Sequence, residues 1–207
     1  MSRLPAAALI GLAGLAACGP RTASAGGGSA DGLHGAELTP ALPKPAFTLT
    51  DEAGHPFDFR RETDGYLTFL YFGYTHCADV CPVQMANLAG ALHQMSPEDV
   101  QRIKVVFVTT DPARDSAARL KQWLGFFDRS FIGLTGTPAA LRAAQVASRV
   151  APAEREDLPG GGYGVGHAAQ VLVFTTDDSE RAEYPFGIRQ ADWAHDLPRL
   201  LTLGTAR

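Results

Sequence analysis

Cysteine is scarce in this chain: three residues in 207, at positions 18, 77 and 81. That excludes a small domain stapled by several disulfides, but leaves room for one disulfide or one metal site. A basic excess is also missing. Eighteen Lys and Arg face 22 Asp and Glu, a formal net charge of −4, so no nucleic-acid partner is expected; holding a phosphate backbone needs a basic face. No internal repeat is visible. The one long apolar run, Leu4 to Ala17, falls short of the roughly 20 residues a spanning helix needs. What is present is an ordinary globular composition, 45% hydrophobic and 19% charged, enough for one buried core.

The ends of that apolar run define it. Arg3 precedes it, as in a secretory signal, and Leu15-Ala16-Ala17-Cys18 closes it. These four residues resemble the lipobox of bacterial lipoproteins. The resemblance implies that residues 1–17 are a signal peptide and that Cys18 is lipidated, leaving Cys77 and Cys81 for chemistry. Residues 19–36 hold six Gly, two Ser and a single large aliphatic, Leu33. Little apolar surface is available there to offset the entropy of ordering. Residues 18–40 are therefore expected to be a flexible tether, with His34 solvated, and its residues 19–36 to span roughly 20–25 Å. The domain proper is expected over 41–207, facing the periplasm or cell exterior.

Within it, strands alternate with helices. Phe47–Thr50 and Phe57–Phe59 flank a Gly-containing turn, which predicts an N-terminal β-hairpin. Tyr66–Phe72 and Ile103–Val108 are apolar runs suited to strands buried on both faces. Met85, Leu88, Ala89, Leu92 and Met95 recur at helical spacing, as do Leu120, Trp123, Leu124 and Phe127. Asp115 or Ser116 is a candidate N-cap for the second helix. Thr137-Pro138 opens a third helix, to about Val150. Residues 151–166, with two Pro and five Gly, are expected to be a long loop. A strand at Ala169–Thr175, another at Arg181–Phe186 and a helix over Ala191–Leu203 follow, with Pro198 marking a kink or restart. This order predicts an α/β fold: a thioredoxin-like sandwich with a central mixed sheet, the N-terminal hairpin and an inserted helical segment.

Cys77 and Cys81 lie where the first long strand hands over to the first helix. Pro82 lacks an N–H and is tolerated only in a first turn, so the helix begins near Cys81. Both thiols then sit at a helix N-terminus, where the backbone favours thiolate. With three residues between them the sulfurs can form a disulfide or two legs of a metal site, or simply fill the core. Among the histidines, His55 is expected exposed in its turn. His93 and His195 fall within helices, and His76 is directed away from its neighbour Cys77. His167 differs, because it ends the Gly-rich segment before a strand. In a thioredoxin-like fold that segment faces the cysteines, and residues 160–170 lack the proline thioredoxins carry there. An imidazole facing two thiolates makes a soft three-ligand site: thiolates select Cu(I), and imidazole also accepts Cu(II). A four-ligand structural zinc site lacks a fourth residue.

Three stretches carry a family resemblance: Tyr71-Phe72-Gly73-Tyr74-Thr75-His76-Cys77-Ala78-Asp79-Val80-Cys81-Pro82, Thr109-Thr110-Asp111-Pro112-Ala113-Arg114-Asp115, and Tyr163-Gly164-Val165-Gly166-His167-Ala168-Ala169. Together they resemble the Sco/SenC copper metallochaperones, from about Phe47 to the C-terminus. The resemblance implies copper, as Cu(I), Cu(II) or both, held by Cys77, Cys81 and His167. It also implies delivery to the copper A-bearing subunit of cytochrome c oxidase, with room for another copper protein as donor. Ala78 and Gly166 depart from the family pattern, which usually has Pro and Asp there. A thiol–disulfide oxidoreductase using Cys77 and Cys81 as its redox pair is the alternative. A peroxiredoxin-like peroxidase is disfavoured, because its resolving cysteine is usually remote.

Overall fold

The protein is described over residues 32–204 by a computed structural model. Residues 1–17, Cys18 and most of the expected tether lie outside the described residues.

The elements run β1 (Ala36–Pro43), β2 (Thr48–Thr50), β3 (Pro56–Asp58), α1 (Phe59–Glu62), β4 (Leu67–Gly73), α2 (Val80–Leu92), α3 (Pro97–Val100), β5 (Ile103–Thr109), α4 (Ala117–Leu124), β6 (Ile132–Leu134), α5 (Pro138–Ala147), β7 (Glu154–Asp157), β8 (Tyr163–Gly166), β9 (Val171–Phe174), β10 (Ser179–Tyr184) and α6 (Gln190–Thr202). Six strands form the central sheet in the order β1-β10-β9-β4-β5-β6. β4, β5 and β6 are parallel; β9, β10 and β1 add antiparallel. The expected mixed-sheet α/β sandwich is thus the observed one, with the hairpin β2–β3 ahead of it.

Sequence explains why β4 is central. All seven of its residues are buried, and they alternate between two cores. Leu67, Phe69 and Tyr71 meet α2, α4 and α6 on one face. Leu70 and Phe72 meet Phe59, Leu141 and Ala144 on the other. Burying each such side chain contributes roughly 1.5–3 kcal/mol. The helix starts follow their caps: Ser116 and Thr137 accept from backbone amides three residues on, opening α4 and α5.

Two segments differ from the sequence expectation. Residues 36–40, assigned to the tether, belong to β1, which pairs with β10 and closes that sheet edge. Leu33 is buried as well. An open strand edge is a strong template for pairing, and this one recruits a segment whose own pattern carries little hydrophobic signal. The expected loop at 151–166 holds the hairpin β7–β8, with Gly160, Gly161 and Gly162 at positive φ in its turn. Every β7 residue is exposed, so no burial period marked it as a strand. Pro198 lies inside one continuous α6 and starts no second helix. No described helix is long and apolar enough to cross a membrane.

A candidate metal centre at the strand-to-helix turn

β4 delivers the chain to Gly73, and α2 begins at Val80. The connecting loop is held from outside by Asp115, which is fully buried. Its carboxylate accepts from the Thr75 amide (2.9 Å), the Thr75 hydroxyl (2.7 Å) and the Thr109 hydroxyl (2.8 Å). Arg119 Nε also donates to Thr75 Oγ1, at 3.0 Å. Thr110 N donates to the Gly73 carbonyl at 2.7 Å. Ser116 takes the cap of α4, which frees Asp115 for this buried duty.

Within the loop the two thiols are unlike. Cys81, in the first turn of α2, is wholly buried; Cys77 is half-buried, and neither is bonded to another cysteine. The Cys81 amide donates to Cys77 Sγ at 3.4 Å. A hydrogen bond from the Cys81 thiol and that amide hold Cys77 down to about 4. The same pairing and burial push the Cys81 thiol up. The pair thus favours Cys77 as the thiol that ionises first, with the Cys81 thiol donating to it, as the positive end of a helix also favours. Tyr71, whose hydroxyl donates to Cys81 Sγ at 3.7 Å, lies beneath; sequence showed it only as an apolar strand residue.

His167 lies one residue beyond β8. Its Nε2 lies 3.4 Å from Cys81 Sγ. Its Nδ1 donates to the Ala168 carbonyl at 3.0 Å, which leaves the Nε2 lone pair facing the sulfurs. Tyr71 and Tyr74 hold the ring edge-on, at 5.9 and 5.7 Å between centroids. The hairpin before it is clamped to the β5–α4 connection. Arg114 pairs with Asp111, donates to the Tyr163 carbonyl at 3.1 Å and lies 3.7 Å over the Tyr163 ring. The Tyr163 hydroxyl returns to Asp111 at 2.9 Å. Asp111 thus faces the clamp rather than the thiols. Sequence pointed to this stretch, but its contact partner Tyr163 lies 49 residues away from Arg114.

Cys77, Cys81 and His167 have ligand atoms all within 4.8 Å of one another. Two sulfurs and one imidazole suit a soft or borderline ion. Of the other histidines, His55 is exposed beside Asp51 and His93 pairs with Asp128 at 2.8 Å on the surface. The His76 ring faces Asp115 and Thr75, away from the site. Gly166 lacks a carboxylate, yet Glu156 on the paired strand brings an oxygen to 3.3 Å from where its Cβ would stand.

The sequence matches the SCO1/SenC family over residues 36–202. A Stutzerimonas stutzeri protein named for copper binding is 29% identical over 159 residues, covering 76% of each chain. The structure of Bradyrhizobium japonicum ScoI with copper bound is 31% identical, with a TM-score of 0.68, covering 78% of this chain and 100% of that one. BsSco, described as a member of the Sco family of cytochrome c oxidase assembly proteins and as holding a disulfide switch, shares the fold. Its TM-score is 0.61 at 18% identity, over 81% of this chain and 99% of its own. Against mitochondrial Sco proteins the alignment spans 30% to 51% of their length.

Proposed function

The chain belongs to the SCO1/SenC family, and on that premise we propose that it is a copper chaperone. It binds one copper ion through Cys77, Cys81 and His167 and passes it to the copper A-bearing subunit of cytochrome c oxidase. The observation that carries this reading is the convergence of the three ligand atoms within 4.8 Å, with Cys77 and His167 half-exposed at the rim. Cys77 is the thiol held low, so the first sulfur ligand gives up its proton readily. The half-exposed pair offers an incoming acceptor thiol a route to the ion, while buried Cys81 stays behind. The copper-bound relative supports the choice of ion. X-ray absorption of the loaded protein is the test: two sulfurs and one nitrogen are expected, and one sulfur or none sinks the reading.

A second reading rests on the unequal thiols. A half-exposed thiolate beside a buried partner is also the arrangement of a dithiol reductant, in which the first sulfur attacks and the second resolves. Such a protein reduces the acceptor's cysteines before copper arrives. The two activities are compatible in one molecule.

The working location is the outer face of a membrane, through lipid on Cys18. Support is the Leu15-Ala16-Ala17-Cys18 sequence. Cys18→Ser is expected to leave the membrane fraction; retention after carbonate washing counts against the anchor.

A further inference from the structure

At the β1 edge of the sheet, burial of Leu33 brings His34 against α6. The His34 ring stacks on His195, with centroids 4.3 Å apart and planes 21° apart. His34 Nδ1 lies 2.8 Å from Asp192 Oδ1, and His195 Nδ1 lies 2.6 Å from Asp196 Oδ1. Asp196 is fully buried and also accepts from the His34 amide and the Tyr184 hydroxyl, both at 2.7 Å. The ligand atoms of His34, His195 and Asp196 lie within 4.8 Å of one another.

One feature makes this more than a hydrogen-bonded clasp. Asp192 fixes the Nδ1 side of His34 and leaves Nε2 free. A carboxylate on one ring nitrogen with the other open is how metal-binding histidines are usually held. At His195, the Arg199 Nη1 atom lies 2.5 Å from Nε2 and 3.1 Å from Nδ1. Near both ring nitrogens at once, the guanidinium lies against the ring edge, a positive charge beside the cluster. A metal ion shared with Asp196 would take His195 Nδ1, the ring nitrogen on that side, in place of its proton. Arg199 would keep its bond to the Gly32 carbonyl, now 3.2 Å.

The geometry points to a second metal site, formed by His34, His195 and Asp196, for a divalent first-row ion. The donors are two nitrogens and a carboxylate oxygen, with no sulfur. That set suits Cu(II) or Zn(II) and gives no preference to Cu(I). One ligand precedes β1 and the others sit on α6, so an ion there clasps the N-terminal segment onto the domain. Ligand atoms bound to one ion at about 2.1 Å lie roughly 3–3.5 Å apart, so atoms now spread over up to 4.8 Å must close in. The His34 side chain, 39% exposed, has the freedom to do so.

The test is Cu(II) titration of the full chain, in detergent, carrying Cys77→Ser and Cys81→Ser. One equivalent is expected to bind, with nitrogen and oxygen ligation only in electron paramagnetic resonance. Adding His34→Ala is expected to weaken it at least about tenfold, and Arg199→Gln to tighten it by removing the competing cation. No binding, binding indifferent to His34→Ala, or no gain in Arg199→Gln overturns the site. Should the double serine variant fail to fold, Zn(II) titration of the otherwise unaltered chain decides: two equivalents, falling to one in His34→Ala. One equivalent in both overturns the proposal. Because the cysteine site is absent in the first titration and retained in the second, failure here is distinct from failure of the copper-chaperone reading.

Discussion

Gly73 and Cys81 are packed so closely that no side chain fits between them. A β-carbon on Gly73 would stand 2.8 Å from Cys81 Sγ, 2.8 Å from Tyr71 Cε1 and 3.1 Å from Phe107 Cε2. The last residue of β4 is therefore bare so that the buried thiol can lie back over the strand end, within reach of Tyr71 and His167. The core wall and the metal-ligand wall are the same surface here, and Cys81 belongs to both.

Gly73→Ala is expected to push Cys81 off this seat. Its neighbours are a fully buried tyrosine and a fully buried phenylalanine, which give way poorly in a close-packed interior. Overpacking of this kind costs typically 1–3 kcal/mol, so the domain should still fold, with a lowered urea midpoint. Copper affinity should fall more than stability, because the displaced group is a ligand. Affinity within twofold of the original protein would show that the close contact does not set the thiol's position.

Cys77 should react as a thiolate across the mildly acidic range. Held down to about 4, it is ionised throughout pH 5.5–7.5, so its alkylation by iodoacetamide should be nearly flat there. An unperturbed thiol near 8.5 would speed up about a hundredfold over those two pH units. Cys81, buried and pushed up, should remain unlabelled. The same shift makes the native state bind fewer protons than the unfolded chain. Its contribution to stability is full above the unfolded thiol's range and lost as pH falls through about 4. A Cys77 rate that climbs tenfold per pH unit would refute the assignment of thiolate and donor.

Both thiols, His167, the strand and helix that flank the thiols, and the mixed sheet were legible in sequence. Each is announced by a local signal: an apolar run, a Pro in a first turn, a Gly-rich approach to a strand. What escaped depends on contacts between distant residues. β1 is a strand because β10 has a free edge, and nothing in residues 36–43 says so. Asp115 looked like a cap because caps are local, whereas its real partners Thr75 and Thr109 come from two different strand ends. His34 looked solvated in a Gly-rich stretch, yet it stacks on a ring 161 positions along the chain.

Asp115→Ala should reveal how far the loop depends on that buried carboxylate. It strands the Thr75 amide and the Thr75 and Thr109 hydroxyls, groups that lose their charged acceptor in a dry site. A cost of about 3 kcal/mol is expected, read as a drop in the urea midpoint without a change in slope. The Thr75–Asp79 loop should also loosen, so reduced protein should oxidise between Cys77 and Cys81 at a changed rate. An unaltered midpoint would mean that Arg119 and backbone contacts alone hold the loop.

His167→Ala separates copper delivery from thiol reduction. The substitution removes one proposed ligand and leaves Cys77, Cys81, the hydrogen bond from the Cys81 amide to Cys77 Sγ and the helix N-terminus in place. Dithiol exchange should therefore persist. Cu(II) binding should collapse, since the imidazole is the donor that suits the oxidised ion, while Cu(I) binding should weaken less because two sulfurs still serve a soft ion. The clamp of Asp111, Arg114 and Tyr163 lies before position 167 and does not use its side chain, so the β7–β8 hairpin should stay docked. The readout is oxidase activity in a strain carrying only the variant, at low copper and with excess reductant. Loss of activity under reductant assigns the essential step to copper handling. Activity close to that of the unaltered protein would transfer the function to the Cys77–Cys81 dithiol and leave copper binding as a side property.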